Sequence, residues 1–365
     1  MDFTRTEAAR DLSGLVRTIV DAVCTPEHQR ILDGLDQRFD EALWEKLIHA
    51  DILNTAAPES VGGGGFGVLE QTAILTALGR QLAAVPYLES AVLSAGALAR
   101  FGTDDLRRDW AAPAVAGLQV LTVALDGECG QGPVQAAESD GGFRLTGTRT
   151  QVPFGPVADA FLVPAETGSG TTVFLVSSAD DGVSVIPLET TGENSAGELE
   201  LAGVRIPADR VVGGADVLSW LTTHRAVGLA AYQLGVLERA LELTAEYART
   251  REQFDRPIGS FQAVAQRLAD GYIDIQGLRL TCTQAAWRLS EDLTADTEVA
   301  TAAFWAAEAG HRVAHTAVHV HGGVGIDVDH PVHRYFITAK QTEFALGGAT
   351  AQLLAIGREL ADTPA

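Results

Sequence analysis

Two long amphipathic stretches with one abrupt break between them restrict this chain more than any other feature of its sequence. In the first stretch, apolar residues recur at Val227, Ala230, Leu234, Leu237, Leu241, Ala245 and Ala248. In the second they recur at Phe261, Val264, Leu268, Tyr272, Ile275, Leu278 and Cys282. Steps of three and four residues put each set on one helical face. The break reads Asp255-Arg256-Pro257-Ile258-Gly259, where Pro and Gly end the first helix and Ser260 is placed to cap the second. On this reading Arg251, Gln253 and Phe254 lie at a helix end, where backbone and side chains can meet a ligand. Residues 215 to 360 as a whole read as long amphipathic helices, the pattern of an antiparallel four-helix bundle.

The remainder divides by character. Residues 1–118 are helical in pattern, with one clear amphipathic segment marked by Phe39, Leu43, Leu47 and Ile48 around Trp44. A glycine-rich turn, Pro58 to Gly67, follows it; no Lys-Ser/Thr pair follows the turn and no strand precedes it, so it is not a nucleotide-binding P-loop. Residues 119–214 change to short runs rich in Val, Thr, Phe and Ile: Gln119–Asp126, Phe143–Thr150, Ala160–Pro164, Thr171–Ser177, Val183–Pro187 and Glu198–Pro207. Gly, Asp and Pro clusters separate them, as in a compact antiparallel barrel or sandwich. The expected fold is therefore mostly α within an α+β class: an N-terminal helical domain (1–118), a middle antiparallel β domain (119–214) and a C-terminal helical bundle (215–365). No internal repeat and no low-complexity tract is present, and Ala361 to Ala365 read as a loose tail.

Composition removes several function classes. A chain of 365 residues with 46% hydrophobic content can bury more than one core. Its formal net charge of -22 opposes nucleic acid and anionic membranes as partners. Cys24, Cys129 and Cys282 are too few and too scattered for a disulfide framework or a metal site, which points to a reducing cytoplasm. No apolar run has membrane-spanning length, and the N-terminus lacks the apolar core of an export signal.

The stretch from Tyr247 to Asp270 carries a resemblance. Tyr, then Arg-x-x-Phe, then Pro-Ile-x-x-Phe-Gln, then Leu-Ala-Asp is similar to the acyl-CoA dehydrogenase family. The turn Pro58-Glu59-Ser60-Val61-Gly62-Gly63-Gly64-Gly65 resembles that family's N-terminal Pro-Glu-x-x-Gly-Gly-x-Gly, and the Leu-Gly-Arg at 78–80 matches the helix after it. His319-Val320-His321-Gly322-Gly323-Val324-Gly325 resembles its Gln-x-x-Gly-Gly-x-Gly, with His319 in place of Gln. The resemblance spans nearly the whole chain and implies the order helix, sheet, helix. It also implies FAD as cofactor and an acyl-CoA thioester as substrate. In this family one subunit's Arg and Phe reach the diphosphate and adenine side of a neighbour's FAD. The matching residues here are Arg251, Gln253, Phe254, Phe261, Gln262, His319, Gly322 and Gly323. A guanidinium forks onto diphosphate oxygens, an aromatic ring covers an apolar face, and glycines let backbone approach.

The departures concern chemistry. Active relatives carry a Thr-Glu-Pro…Gly-Ser-Asp stretch and a Lys-x-Trp-Ile-Thr-Asn stretch whose Trp and Thr touch the flavin ring. The matching places read Leu125-Asp126-Gly127-Glu128-Cys129-Gly130 and Arg149-Thr150-Gln151-Val152-Pro153-Phe154. Gln151 replaces the Trp, and Pro153, which has neither hydroxyl nor N–H, replaces the Thr. The usual catalytic Glu, before Gly-Thr near the C-terminus, is Leu346; in relatives that place it on the first C-terminal helix, the match is Arg225. Neither is a base. Bacterial members from steroid side-chain breakdown are heterotetramers in which one subunit holds the flavin and the Glu and the other completes the FAD site. This chain resembles the second kind, with a homologous subunit as partner and an electron-transfer flavoprotein as the family's reoxidant.

Three alternatives stand beside this reading. One is a self-sufficient homotetramer whose base has moved to Glu343, Glu238 or Glu242. Another is a non-redox metal-binding protein, from His311, His315 and His319 at i, i+4 and i+8 with His321, His330 and His333 nearby. The last is a structural or regulatory subunit without cofactor contact. For metal ligands, no acidic residue or cysteine follows the histidine spacing on that helix.

Overall fold

The computed structural model describes residues 3–127, 131–192 and 194–362. Glu128, Cys129 and Gly130, part of the altered middle-domain motif, lie outside the described residues, as do the last three residues of the expected tail. Ala361 and Asp362 belong to the final helix.

In chain order the helices α1 (Glu7–Val23), α2 (Pro26–Asp33), α3 (Glu41–His49), α4 (Ile52–Thr55), α5 (Val68–Arg80), α6 (Ala95–Phe101), α7 (Asp104–Leu106) and α8 (Ala112–Val115) come first. Strands follow: β1 (Leu121–Val123), β2 (Val134–Ser139), β3 (Gly142–Pro153), β4 (Ala160–Thr167), β5 (Gly170–Ser177), β6 (Val183–Leu188), β7 (Ala196–Pro207) and β8 (Val211–Gly213). The chain then forms α9 (Ala215–Thr250), a hairpin of β9 (Glu252–Gln253) and β10 (Arg256–Pro257), and the helices α10 (Gln262–Ser290), α11 (Asp296–His321), α12 (Pro331–Ala345) and α13 (Gly348–Asp362). Helices, a central sheet and a C-terminal helical bundle thus follow in the expected order. Among the described residues, no helix is long and apolar enough to cross a membrane.

Two compact units form, one of residues 1–28, 68–83 and 226–365, the other of 29–67 and 84–225. The second unit contains the sheet. Its ladder runs β6-β7-β3-β2-β4-β5-β8, with β1 alongside β4. Most pairings are antiparallel, but β1 and β2 both run parallel to β4, so the sheet is mixed rather than purely antiparallel. Sequence reading passes over β2 and β8: β2 is built from Gln, Ala and Glu after Val134, with little β-branched character, and β8 is three residues long. Of the inward side chains, Leu145, Phe161, Val163, Phe174, Val176 and Leu199 are at most 1% exposed. Full burial of each contributes about 1.5–3 kcal/mol. Asp40 caps α3 by accepting a bond from the Leu43 N–H at 3.0 Å.

The first unit is helical. Thr6 caps α1 through the Ala9 N–H at 3.0 Å, and Ala9, Ser13, Val16, Val20 and Val23 form its buried stripe. Helices α5 and α9 meet backbone to backbone. A Cβ added at Gly235 would stand 2.0 Å from the Thr76 carbonyl oxygen, and one at Gly79 would stand 2.1 Å from that of Tyr232. The Thr76 hydroxyl donates across this crossing to the Ala231 carbonyl at 3.1 Å. Gln233, fully buried, ties α9 to α11 and α12 by donating to the carbonyls of Ala306 (3.3 Å) and Ala339 (3.0 Å). On α10 the buried face is Gly271, Asp274, Ile275, Leu278, Cys282, Ala285 and Ala286. Tyr272, expected on that face, is 60% exposed: the true stripe keeps step with Asp274 and Ile275, and Tyr272 falls outside it.

Candidate functional site

The break between the long helices is a built turn. Helix α9 stops at Thr250, and the chain closes a two-residue hairpin in which Gln253 pairs with Arg256 and Glu252 with Pro257. Its tip residues Phe254 and Asp255 both take left-handed backbone, φ 54° and 61°, the pattern of a type I′ turn. Arg251, Gln253 and Phe254 are thus carried just beyond the helix rather than at its end. A bulky side chain costs energy in that conformation, yet here it holds an aromatic ring that is 86% exposed. Phe254 meets Phe261 edge to face at 6.1 Å, and the Arg256 guanidinium lies 4.1 Å from the centre of the Phe261 ring. Ser260 does not cap α10: its hydroxyl donates to the Pro257 carbonyl at 2.7 Å, and Phe261 occupies the cap position without a side-chain bond. Gln262 opens α10 and is exposed, as are Arg251 and Gln253.

The glycine segment lies at the same end of the unit's long helices as the hairpin. Helix α11 ends at His321, and Gly322 takes φ 65°, ψ -142°, a conformation open to glycine. A Cβ at Gly322 or Gly323 would meet nothing within 4 Å, so both positions leave backbone open to an approaching group. Tyr247, near the end of α9, stacks on His321 at 4.3 Å, and His321 lies 5.1 Å from His330. That stack joins the hairpin's helix to the glycine segment. His319 points outward, exposed, one helical step before them. Burial holds the imidazoles of His321 and His330 below the ordinary histidine range. The residues here suit a dinucleotide's diphosphate end: an exposed guanidinium, an exposed aromatic ring and uncovered glycine backbone.

The positions that would hold a flavin ring and a base differ sharply. Gln151 is exposed and adopts φ 53° where the pairing of β3 with β7 shifts register between Arg149 and Val152. The Pro153 carbonyl accepts the Thr122 hydroxyl at 2.6 Å. Arg225 is bound to Asp126 at 2.5 Å. Arg149, 9% exposed, lies beside them, and burial lowers its affinity for its proton against the pull of Asp126. Glu89, in the wide helical turns at 87–94, interacts with Arg225; it is half-buried, and burial pushes its carboxyl up to about 7 against its own backbone N–H and Arg225. A charged cluster of Glu89, Asp126, Arg149 and Arg225 thus surrounds one of the two base positions. Sequence reading identifies Arg225 but misses Glu89, whose local sequence, Tyr-Leu-Glu-Ser, has no marker of a site. The other base position, Leu346, ends α12 and is 6% exposed.

Each substitute base is ion-paired. Glu238 bonds Arg80 at 2.9 Å and Arg279 at 2.8 Å, Glu242 bonds Arg80 at 2.7 Å, and Glu343 bonds Lys340 at 2.5 Å and lies 3.4 Å from His311. The His311 and His315 rings are 4.5 Å apart beside Lys340. Among the described residues, no group of three His, Cys, Asp or Glu side chains is arranged to hold a metal ion.

Helices, a mixed sheet and a helical bundle in that order, with an arginine–aromatic hairpin and a glycine segment, define the architecture of flavin-dependent dehydrogenases of acyl thioesters. Comparison with known proteins agrees. Residues 6–118 match the model for the acyl-CoA dehydrogenase N-terminal domain, and residues 213–361 that for its C-terminal domain. Acyl-CoA dehydrogenase FadE27 of Mycobacterium tuberculosis is 71% identical over 373 residues, covering 100% of both chains. A chain of the ChsE4-ChsE5 complex from Mycobacterium tuberculosis superposes with a TM-score of 0.98 at 72% identity, covering 100% of each. A variant of the Tcur3481-Tcur3483 steroid ACAD gives 0.93 at 38% identity, covering 98% of this chain and 99% of that one. The chain belongs to the acyl-CoA dehydrogenase family, whose enzymes depend on FAD.

Proposed function

We propose that this chain is the base-lacking subunit of a two-component acyl-CoA dehydrogenase, completing the FAD site of a homologous subunit that carries the catalytic Glu. One observation carries the reading: Arg225, locked to Asp126, stands at a base position, while the Arg251–Phe254 hairpin is built and exposed. FAD, when bound, supplies the acceptor for hydride from the β carbon of an acyl-CoA. Arg251 would fork onto its diphosphate and Phe254 would cover its apolar side. Phe261 and Gln262 would line the same edge. Gly322 and Gly323 would admit the backbone, and His319 would give one hydrogen bond. The likeness to a chain of a two-protein complex and to a steroid ACAD supports a heteromer acting on a steroid-derived acyl-CoA. Exposed Phe344, Leu353, Leu354 and Leu360 support the homologous partner, since apolar side chains at such a surface favour burial. The division 1–118, 119–214 and 215–365, a cytoplasmic setting and reoxidation by an electron-transfer flavoprotein belong to the same reading.

Only Glu89 favours the self-sufficient homotetramer, because a carboxyl near 7 beside the base position suits proton abstraction. Visible spectra separate the readings. The chain alone should be colourless, and co-expressed with a Glu-bearing homologue it should give a yellow complex with about half a flavin per subunit. Arg251→Ala in the complex should lower flavin content several-fold. A yellow chain that oxidises acyl-CoA alone overturns the proposal, and flavin content indifferent to Arg251→Ala supports a purely structural subunit.

A further inference from the structure

The helical unit of residues 1–28, 68–83 and 226–365 contains a cavity of about 60 Å³, several times the room one water needs. It lies between the segment entering α1, the Leu69–Thr76 face of α5, and α9 and α10. Among the described residues, the charged side chains lining it are both arginines, Arg5 and Arg279. Apolar surface from Leu234 and Trp287 makes up another part of the wall.

The two guanidiniums are in different states. Arg279 pairs with Glu238 at 2.8 Å, and that carboxylate is already held by Arg80 at 2.9 Å. Arg5 is half-buried and makes no ion pair with a carboxylate among the described residues. Burial and the like charges of Arg279 and Arg17 lower its proton affinity, with Glu238 as the opposing influence. The other nearby carboxylate, Glu70, is turned to the Thr6 hydroxyl, which donates to it at 2.7 Å. The hydroxyls of Thr76 and Thr283 donate to backbone carbonyls. Burial pushes the Cys282 thiol up to about 12, so it stays neutral and does not oppose an anion. The charged donors facing the space are guanidinium N–H groups, in a chain whose formal net charge is -22.

We propose that this cavity is a binding site for a small oxyanion, inorganic phosphate or the carboxylate of a short organic acid, held in a fork by Arg5 with Arg279 behind it. A planar guanidinium offers paired N–H donors that match either group, and the desolvated, half-apolar wall strengthens the contact. Binding would relieve the repulsion between Arg5 and Arg279 and tie the entry of α1 to α10. The site is independent of the cofactor half-site, so it stands or falls separately from the proposed function.

The test is thermal unfolding of the full chain at constant ionic strength, with sodium phosphate or sodium acetate replacing chloride. Wild type should gain about 2–4 °C, saturably in the millimolar range, from at least one of them. Response to phosphate alone marks a phosphate site, and an equal response to acetate marks a carboxylate site. Arg5→Gln should raise the melting temperature in chloride and abolish the anion response. Arg5→Lys, which keeps the charge without the fork, should need several-fold more anion for half the effect. No gain with either anion in wild type, a wild-type response in Arg5→Gln, or undiminished affinity in Arg5→Lys overturns the proposal. If Arg5→Gln does not fold, the wild-type and Arg5→Lys curves decide it.

Discussion

Glu89 is the residue whose environment contradicts its chemistry most. Unfolded, its carboxyl titrates near 4.5; folded, burial moves it to about 7. The folded state therefore holds the proton more tightly, and the contribution to stability is fully present below about 4.5 and lost as pH rises through 7. Above pH 7 the ionised carboxylate sits near Arg225, which is already engaged by Asp126 and offsets only part of the cost. Glu89→Gln should stabilise the chain at pH 8 by about 1–2 kcal/mol and flatten the decline between pH 5 and 8. Melting curves of both proteins across that range check this; parallel pH profiles would show that Glu89 titrates normally. The same residue marks where sequence reading stops. Arg225 and Leu346 could be placed by matching motifs, because a base position is a fixed step from recognisable neighbours. Glu89 reaches Arg225 only through tertiary folding across more than a hundred residues, and no local pattern encodes that.

Among elements, the α5–α9 crossing and the hairpin were legible to different degrees. Most of the apolar stripe of α9 is readable, since its helical spacing survives in the buried Val227, Ala230, Leu234, Leu237 and Ala248, while Leu241 and Ala245 are only half-buried. The hairpin was readable only as a break. Asp255-Arg256-Pro257 announces a stop, but a phenylalanine in left-handed backbone is not a residue that advertises a type I′ turn. Gly79 and Gly235 also escaped notice, one inside each helical pattern. Their meaning is the contact between the two backbones. Gly235→Ala would drive a methyl group into the Thr76 carbonyl, and the helices must part to admit it. We expect a loss of about 1–3 kcal/mol, read as a melting temperature several degrees lower, with the helical content of the folded protein unchanged. Wild-type stability in this variant would mean the crossing is loose.

At the scale of the whole molecule, twelve of the nineteen large exposed apolar side chains among the described residues lie after residue 250. Helix α13 has no buried residue, and Leu353, Leu354 and Leu360 are 53%, 60% and 62% exposed. Such a helix is stabilised by what packs on it. Replacing Leu353 and Leu354 together by Ser should reduce co-purification with a homologous subunit several-fold, while the secondary structure of the chain alone stays intact. Molar mass from light scattering during size exclusion reads this directly, and an undiminished complex would assign the contact to another face.

The helical unit is assembled from both ends of the chain: α1 and α5 need α9, whose Gly235 lies more than two hundred residues after α1 begins. During synthesis α5 must therefore wait, its face around Thr76 and Gly79 uncovered, until the ribosome has delivered the long helix that closes on it. The sheet-bearing unit, complete by residue 225, has no such wait. The order of emergence thus gives this chain a period in which one core is finished and the other is half made, and the open face of α5 is the one left to wrong partners until α9 arrives.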